Sequence, residues 1–298
     1  MVLPNFFILG AAKSGTTSLH DLLKQHPQVY FPFSKEPMFF SQDALYAQGL
    51  DWYAKSFFKG SESCPRRGDA TPHYLYWAEK VAPRLKKVYP GGPEMIVILR
   101  DPVVRAYSWY WNMVREGNES LSFEDALDAE AERLKGQHAT LQTRGAMLYG
   151  YVRGSQYVEQ IQHFLAFFPR EKFLFLLYED LAEARLTQTL AVIKDFLNMD
   201  SDIFPMKLTI SNPAALPRSM SLQRWLRRQS AFREQLKRFI PQKARYFVKE
   251  QLIRMNLRPT HYPPMRENTK QQLKSQFEGE IISLQRLIER DLTDWLKA

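Results

Sequence analysis

The chain has 298 residues, 45% of them hydrophobic and 13% aromatic, enough for a sizeable core in one large α/β unit. The net charge is +9, and the single cysteine, Cys64, excludes an internal disulfide and a cysteine-based metal cluster. No apolar run approaches the length of a membrane helix, and the six histidines show no H-x-x-x-H pairing, so no metal is expected.

The chain enters its first strand almost at once, so no signal peptide is expected, and the lone Cys64 suits a reducing cytoplasm. Phe6-Phe7-Ile8-Leu9 is a continuous apolar run, as in a strand buried on both faces. It breaks at Gly10 and passes through Ala11-Ala12-Lys13-Ser14-Gly15-Thr16-Thr17-Ser18 before Leu19, Leu22 and Leu23 take up helical spacing. A strand, a turn of small residues and a helix start leave backbone N–H groups unpaired at the positive end of a helix dipole. Lys13 adds a full charge, so the turn suits phosphate. In a Walker A loop the lysine follows the second glycine; here Lys13 lies between Gly10 and Gly15, so the loop is P-loop-like without matching that motif.

Gln28-Val29-Tyr30-Phe31 reads as a short second strand ended by Pro32. In Lys35-Glu36-Pro37-Met38-Phe39-Phe40 a carboxylate lies between a lysine and aromatics, the half-buried setting that a general base requires. Residues Asp51 to Phe58 read as helix, Gly68 to Tyr76 as a short strand or turn interrupted by Pro72, and Ala78 to Val88 as helix. Met95-Ile96-Val97-Ile98-Leu99 is a second buried strand, ending in Arg100-Asp101-Pro102, with Pro102 in the first turn of a helix holding Arg105, Tyr107 and Ser108. Ligands of open parallel sheets bind beyond the strands' carboxyl ends, which places Arg100, with Ser108 two turns on, at a second anionic group. An arginine where a Walker B strand would present a metal-binding acid favours a phosphate held without Mg²⁺.

An acidic helix is expected over Leu121 to Leu134, another helix ending at Phe168, a third buried strand at Phe173 to Leu177 and a helix over Leu186 to Leu197. Beyond Asp202 strand signals stop. Ala214 to Arg258 carries twelve Lys or Arg against Glu234 and Glu250, a face suited to an anionic glycan or a membrane surface; nucleic acid is not expected. A proline-rich loop from Arg258 to Met265 precedes a closing amphipathic helix from Thr269 to Trp295. Strands alternating with helices predict a three-layer α/β fold, a P-loop-like arrangement with a central parallel sheet flanked by helices. The expected organisation is one unit over 1–298, an α/β nucleotide-binding core at 1–205 and a helical C-terminal extension at 206–298 packed on it.

With both motifs in view, the chain resembles the PAPS-dependent sulfotransferase family, and most of all its bacterial members related to the heparan-sulfate type. Phe7 to Thr17 resembles the family's 5′-phosphosulfate loop, and Arg100 to Ser108 its 3′-phosphate motif. Lys35 to Phe40 is similar to the segment that carries the catalytic glutamate of glycan sulfotransferases. Gly68 to Tyr74 and the stretch from Pro264 to Trp295 are also familial. The resemblance implies PAPS as sulfuryl donor, with Lys13, Ser14, Gly15, Thr16, Thr17, Ser18, Arg100 and Ser108 as its ligands. It implies Glu36 as base, Lys13 as stabiliser of the leaving phosphate, and a hydroxyl-bearing acceptor that is a glycan, a glycolipid or a small metabolite. Two departures stand out: Ala70 occupies the place of a lysine in heparan-type enzymes, and the basic loop that closes over the cofactor has no clear match, with Arg258 or Arg266 as candidates. The alternatives are a nucleotide kinase or NTPase with an atypical loop, and a non-enzymatic basic protein that binds glycans or membranes. Trp52, Tyr53, Tyr74, Tyr76, Trp109 and Trp111 are candidate acceptor-lining aromatics, at least half of them expected in the core.

Overall fold

The computed structural model describes residues 1–135, 145–200, 215–227, 251–253 and 255–297. Its centre is a five-stranded parallel sheet built from β1 (Phe6–Gly10), β2 (Val29–Tyr30), β3 (Arg66–Asp69), β4 (Glu94–Leu99) and β5 (Phe173–Leu177), in the order β2-β3-β1-β4-β5. From β1 the chain crosses to the edge strand β2 and returns to β3 between them; it then passes to the other side of β1 for β4 and continues outward to β5. The direction of winding therefore reverses between β1 and β4, and the crevice at their carboxyl ends is the topological switch point of the sheet.

The expected apolar strands are buried because both faces are covered. Along β4, Met95, Val97 and Leu99 point into one core and Ile96 and Ile98 into the other, as the two-residue strand period requires. The first core lies under α5 (Ala78–Val88), α6 (Pro102–Glu116), α10 (Tyr157–Leu165) and α13 (Glu267–Ile288); the second lies under α1 (Thr16–Leu23) and α11 (Glu183–Phe196). These are the three layers that the sequence predicts. The intervening short helices are α2 (Asp43–Tyr46), α3 (Gly49–Tyr53), α4 (His73–Tyr76), α7 (Phe123–Asp128), α8 (Glu130–Lys135) and α9 (Gly145–Leu148).

Several elements differ from expectation; the closing helix, expected from Thr269 to Trp295, ends at Ile288, and a separate short helix follows over Thr293–Leu296. The aromatic stretch to Phe58 leaves α-geometry after Tyr53 and finishes as a π-turn over Ala54–Phe58. The acidic helix is two helices, α7 and α8. Glu130, at the start of α8, is turned inward, where its carboxylate accepts from the backbone N–H groups of Tyr151, Val152 and Arg153 at 3.0, 2.9 and 2.8 Å. Beyond Asp202 the chain does form strands: β6 (Ala215–Pro217) and β7 (Leu257–Pro259) make an antiparallel ladder in which Leu216 faces Arg258. Between them runs α12 (Met220–Arg227), and α14 (Thr293–Leu296) ends the fold. Residues 228–250, the bulk of the predicted basic face, lie outside the described residues. Among the described residues no helix is long and apolar enough to cross a membrane.

Candidate active site

The loop between β1 and α1 is held by its backbone. Ala11 N–H donates to Ile98 O at 2.7 Å, Arg105 Nε donates to Ala12 O at 3.2 Å, and Arg100 Nη1 donates to Lys13 O at 3.3 Å. Three successive loop residues are thus tied to β4 and the start of α6. Lys13 adopts a left-handed conformation at φ 73°, a cost that persists where the surroundings fix the backbone. Gly15 follows at φ 95°, and a Cβ there would meet Leu181 Cδ1 at 3.0 Å and Tyr178 Cδ2 at 3.2 Å. Geometry and space both demand glycine at this N-cap of α1. No side chain caps α1, so its first amides face the turn without a capping acceptor.

The charges around the loop are mainly positive. Burial lowers the Lys13 ammonium to about 8, Arg115, Arg100 and Lys35 push the same way, and Glu116 opposes. The repulsion that Arg115, Arg100 and Lys35 exert on Lys13 is relieved by an anion. Arg100 lies over Tyr178, 4.4 Å from the ring centroid, and its carbonyl accepts from the Tyr157 hydroxyl at 2.9 Å. Asp101, the residue after it, caps α6 by accepting from Val103 N–H at 2.8 Å and Val104 N–H at 3.3 Å, with Pro102 in the first turn. Ser108 is half-buried on α6, between Arg105, which touches the loop, and Arg115, which Lys13 senses. Ser14 is fully buried beside Tyr157; Thr16 is buried; Thr17 and Ser18 are half-buried on α1. An uncapped helix start, a tight glycine turn and nearby cations make the loop suited to an anionic group.

Glu36 stands next to this pocket. Its carboxylate is 28% exposed, with Lys35 Nζ 3.8 Å from Oε1 and His73 Nε2 3.5 Å from Oε2. Lys35 also donates to Thr17 Oγ1 at 2.7 Å, which joins the glutamate's neighbour to α1. Burial lowers the Lys35 ammonium, while Glu36 and Asp21 act in the opposite sense. The segment that carries Glu36 hangs from Asp69 at the end of β3. Asp69 is fully buried and accepts from the hydroxyls of Tyr53 at 2.6 Å, Thr71 at 2.6 Å and Tyr74 at 2.9 Å. Two of those hydroxyls in turn accept from the segment, Thr71 from Met38 N–H and Tyr74 from Phe40 N–H, each at 3.3 Å. Burial raises the Asp69 carboxyl to about 6, against the pull of its three hydroxyl donors; nearby Glu36 adds to the rise.

Sequence reasoning left two site residues without a role. Arg105 is 3% exposed and, besides Ala12 O, donates to Tyr151 O at 3.2 Å and Ser155 Oγ at 3.0 Å. A Cβ on Gly154 would lie 2.4 Å from its Nη1, so a glycine there makes room for the guanidinium. An arginine on the apolar face of a helix was the available signal. His73 sits in a motif that resembles the family's, yet nothing in its spacing points at Glu36. Of the six candidate aromatics, Tyr53, Tyr74 and Trp109 are core, whereas Trp52, Tyr76 and Trp111 are partly exposed. The proline-rich loop rests on α6: Tyr107 OH donates to Pro263 O at 2.7 Å, and Tyr262 stacks on Trp111 with centroids 4.7 Å apart. Arg258 is exposed on β7, and Arg266 pairs with Glu124 at 3.6 Å.

The parallel sheet and its glycine-bounded loop at the switch point define the P-loop-like class of α/β proteins. Within that class the chain belongs to the sulfotransferase domain family, which matches residues 3–216. It is 28% identical over 273 residues to the membrane-associated sulfotransferase kil1 of Dictyostelium discoideum, covering 67% of this chain and 57% of that protein. It is 31% identical over 199 residues to heparan sulfate glucosamine 3-O-sulfotransferase 5 of Mus musculus, covering 66% of this chain and 54% of the relative. The chain thus spans little more than half the length of these two relatives. A sulfotransferase structure from Alicyclobacillus acidocaldarius superposes over 100% of both chains, with a TM-score of 0.70 and 26% identity.

Proposed function

We propose that this chain moves a sulfuryl group from PAPS to a hydroxyl of an acceptor, with a glycan or glycolipid as the favoured class and a small metabolite as the other. The observation that carries this reading is the junction of Ala11, Ala12 and Lys13 with Ile98, Arg100 and Arg105, with Glu36 beside it. The names of the heparan sulfate relatives support the glycan class.

PAPS supplies a sulfuryl group already activated on a phosphate. The amides at the start of α1, with Lys13, Ser14, Gly15, Thr16, Thr17 and Ser18, would hold the 5′ end. Arg100 and Ser108 would hold the 3′-phosphate. In the transfer, the bond from sulfur to the bridging phosphate oxygen breaks as the acceptor oxygen bonds to sulfur from the opposite side. Glu36 takes the acceptor's proton, and Lys13 stabilises charge on the departing phosphate. Fixing both reactants in line supplies much of the acceleration, which suits a loop pinned at three consecutive residues. Contact of the 214–258 segment with an anionic glycan or membrane belongs to the same proposal and is supported by its charge; a reducing compartment is supported by the lone Cys64.

The test is ³⁵S transfer from labelled PAPS to a panel of heparan-type oligosaccharides, glycolipids and small alcohols, with Mg²⁺-ATP as the competing donor. Label on a panel member and tight, metal-independent 3′,5′-ADP binding are expected. Mg²⁺-dependent ATP turnover without 3′,5′-ADP binding would establish the kinase reading instead. Within this test Arg100→Ala should weaken 3′,5′-ADP roughly 10- to 100-fold, the worth of a charge-assisted contact, and leave 5′-AMP nearly unchanged.

A further inference from the structure

Two neighbours of the Glu36 carboxylate among the described residues are built differently. Lys35, at Oε1, is a full charge shared with Thr17 on the phosphate helix. His73, at Oε2, opens α4 and is buried, its ring edge-on to the Trp109 indole with centroids 6.0 Å apart. The imidazole also lines a cavity of about 10 Å³ under the loop, shared with Ala11, Ala12, Arg105 and Gln160. Among the described residues its Nδ1 has no hydrogen-bond partner, so the nitrogen facing Glu36 is the one with a polar group to meet.

That asymmetry sets the tautomer. A proton on Nδ1 would be a buried donor without a protein acceptor and would aim the Nε2 lone pair at a carboxylate. A proton on Nε2 points at Glu36 and leaves the bare nitrogen inside. The 3.5 Å separation is long for a hydrogen bond, as catalytic contacts are before substrate tightens the site.

We propose that His73 is the positioning residue of the base: as the neutral Nε2–H tautomer it donates to Glu36 Oε2 and turns the carboxylate toward the acceptor hydroxyl. This rests on the sulfuryl-transfer reading above. During the reaction the acceptor O–H bond breaks and its proton moves to Glu36, while the imidazole proton stays on Nε2. A neutral donor suits this task. Lys35 already draws on the carboxylate, and a second cation would weaken it as a base, whereas an uncharged N–H fixes its direction at little cost in basicity.

Two readouts decide the matter. In ¹⁵N spectra of histidine-labelled protein, with the resonance assigned through His73→Gln, the wild type should show the Nε2–H tautomer of His73, and Glu36→Ala should convert it to a mixture. In kinetics, His73→Phe keeps a ring and removes the donor. It should lower kcat on PAPS roughly 10- to 100-fold, the scale of a misaimed reacting group. KM for PAPS and affinity for 3′,5′-ADP should stay within about twofold, and His73→Gln, which restores an N–H, should recover most of the rate. A His73 tautomer indifferent to Glu36→Ala overturns the pairing whatever the protein turns over. Pairing with an unchanged kcat in His73→Phe overturns the positioning role. A wild type that neither turns over PAPS nor binds 3′,5′-ADP overturns the sulfuryl-transfer reading and with it the role, while the tautomer still reports on the pairing.

Discussion

The two halves of the candidate site are fastened in different ways. The phosphate loop is tied by backbone groups of Ala11, Ala12 and Lys13 to β4 and α6, so it shares the stiffness of the sheet. The segment with Glu36 has no ladder of its own; it hangs through two hydroxyls from one buried carboxylate, Asp69, and leans on side chains of Lys35 and His73. On the proposed function, a donor held in one pose suits the first construction, and a base that admits varied acceptor hydroxyls suits the second. The difference can be broken from either side.

The largest effect is expected at Glu36, the proposed base. Glu36→Gln should cut kcat roughly 10²- to 10⁴-fold and leave 3′,5′-ADP affinity intact, read by transfer kinetics beside calorimetric titration. Loss of both would mean that the halves are one structure. On the loop side, Arg105→Met removes three donor contacts and strands buried acceptors. It should cost roughly 2–3 kcal/mol of stability in urea unfolding and weaken 3′,5′-ADP, with loss of the second alone locating the arginine's role in binding.

A comparable effect in the other half depends on pH. The Asp69 carboxyl lies near 6 in the folded chain and 3.8 when free, so the native state binds the extra proton between those values. Its contribution to stability is fully present below about pH 4 and is lost as pH rises to about 6, a fall on the order of 2–3 kcal/mol. Stability measured across that window should descend in the wild type and flatten in Asp69→Asn. A wild type as flat as the variant would mean that the three hydroxyls hold Asp69 ionised. The smallest effect is at Lys13, which burial and neighbouring cations lower to about 8. An anion favours its charged form, so 3′,5′-ADP affinity should be level below pH 7 and fall, by at most about tenfold per pH unit, as pH rises through 8. Lys13→Met should bind more weakly and lose this dependence, as titrations at pH 6.5 and 8.5 can read.

The sheet's centre was legible because β1, β4 and β5 are apolar on both faces and so appear as unbroken runs. β3 was less so. Its Arg66-Arg67-Gly68-Asp69 reads as polar, yet it pairs between β1 and β2, with Gly68 so close under Phe31 and Phe6 that a Cβ would lie 2.3 Å from one ring. The three-residue strands β6 and β7 are too short for any period to show. In the site, Lys13, Arg100 and Glu36 were readable because charge in an apolar or glycine-rich setting is visible along the chain. Arg105 and His73 take their importance from partners 93 and 37 positions away in sequence, and Asp69 acts on the Glu36 segment through Thr71 and Tyr74, whose bonds to Met38 and Phe40 span 33 and 34 positions; a local pattern encodes none of these.

The pinned loop also bears on how this protein can be recombined with its relatives. A graft of residues 10–18 alone would set a foreign loop into a socket shaped by Ile98, Arg100 and Arg105, and the guanidinium of Arg105 has its own berth against Gly154. The smallest transplantable module is therefore discontinuous: the loop, the β4–α6 junction and the turn at 151–155 travel together.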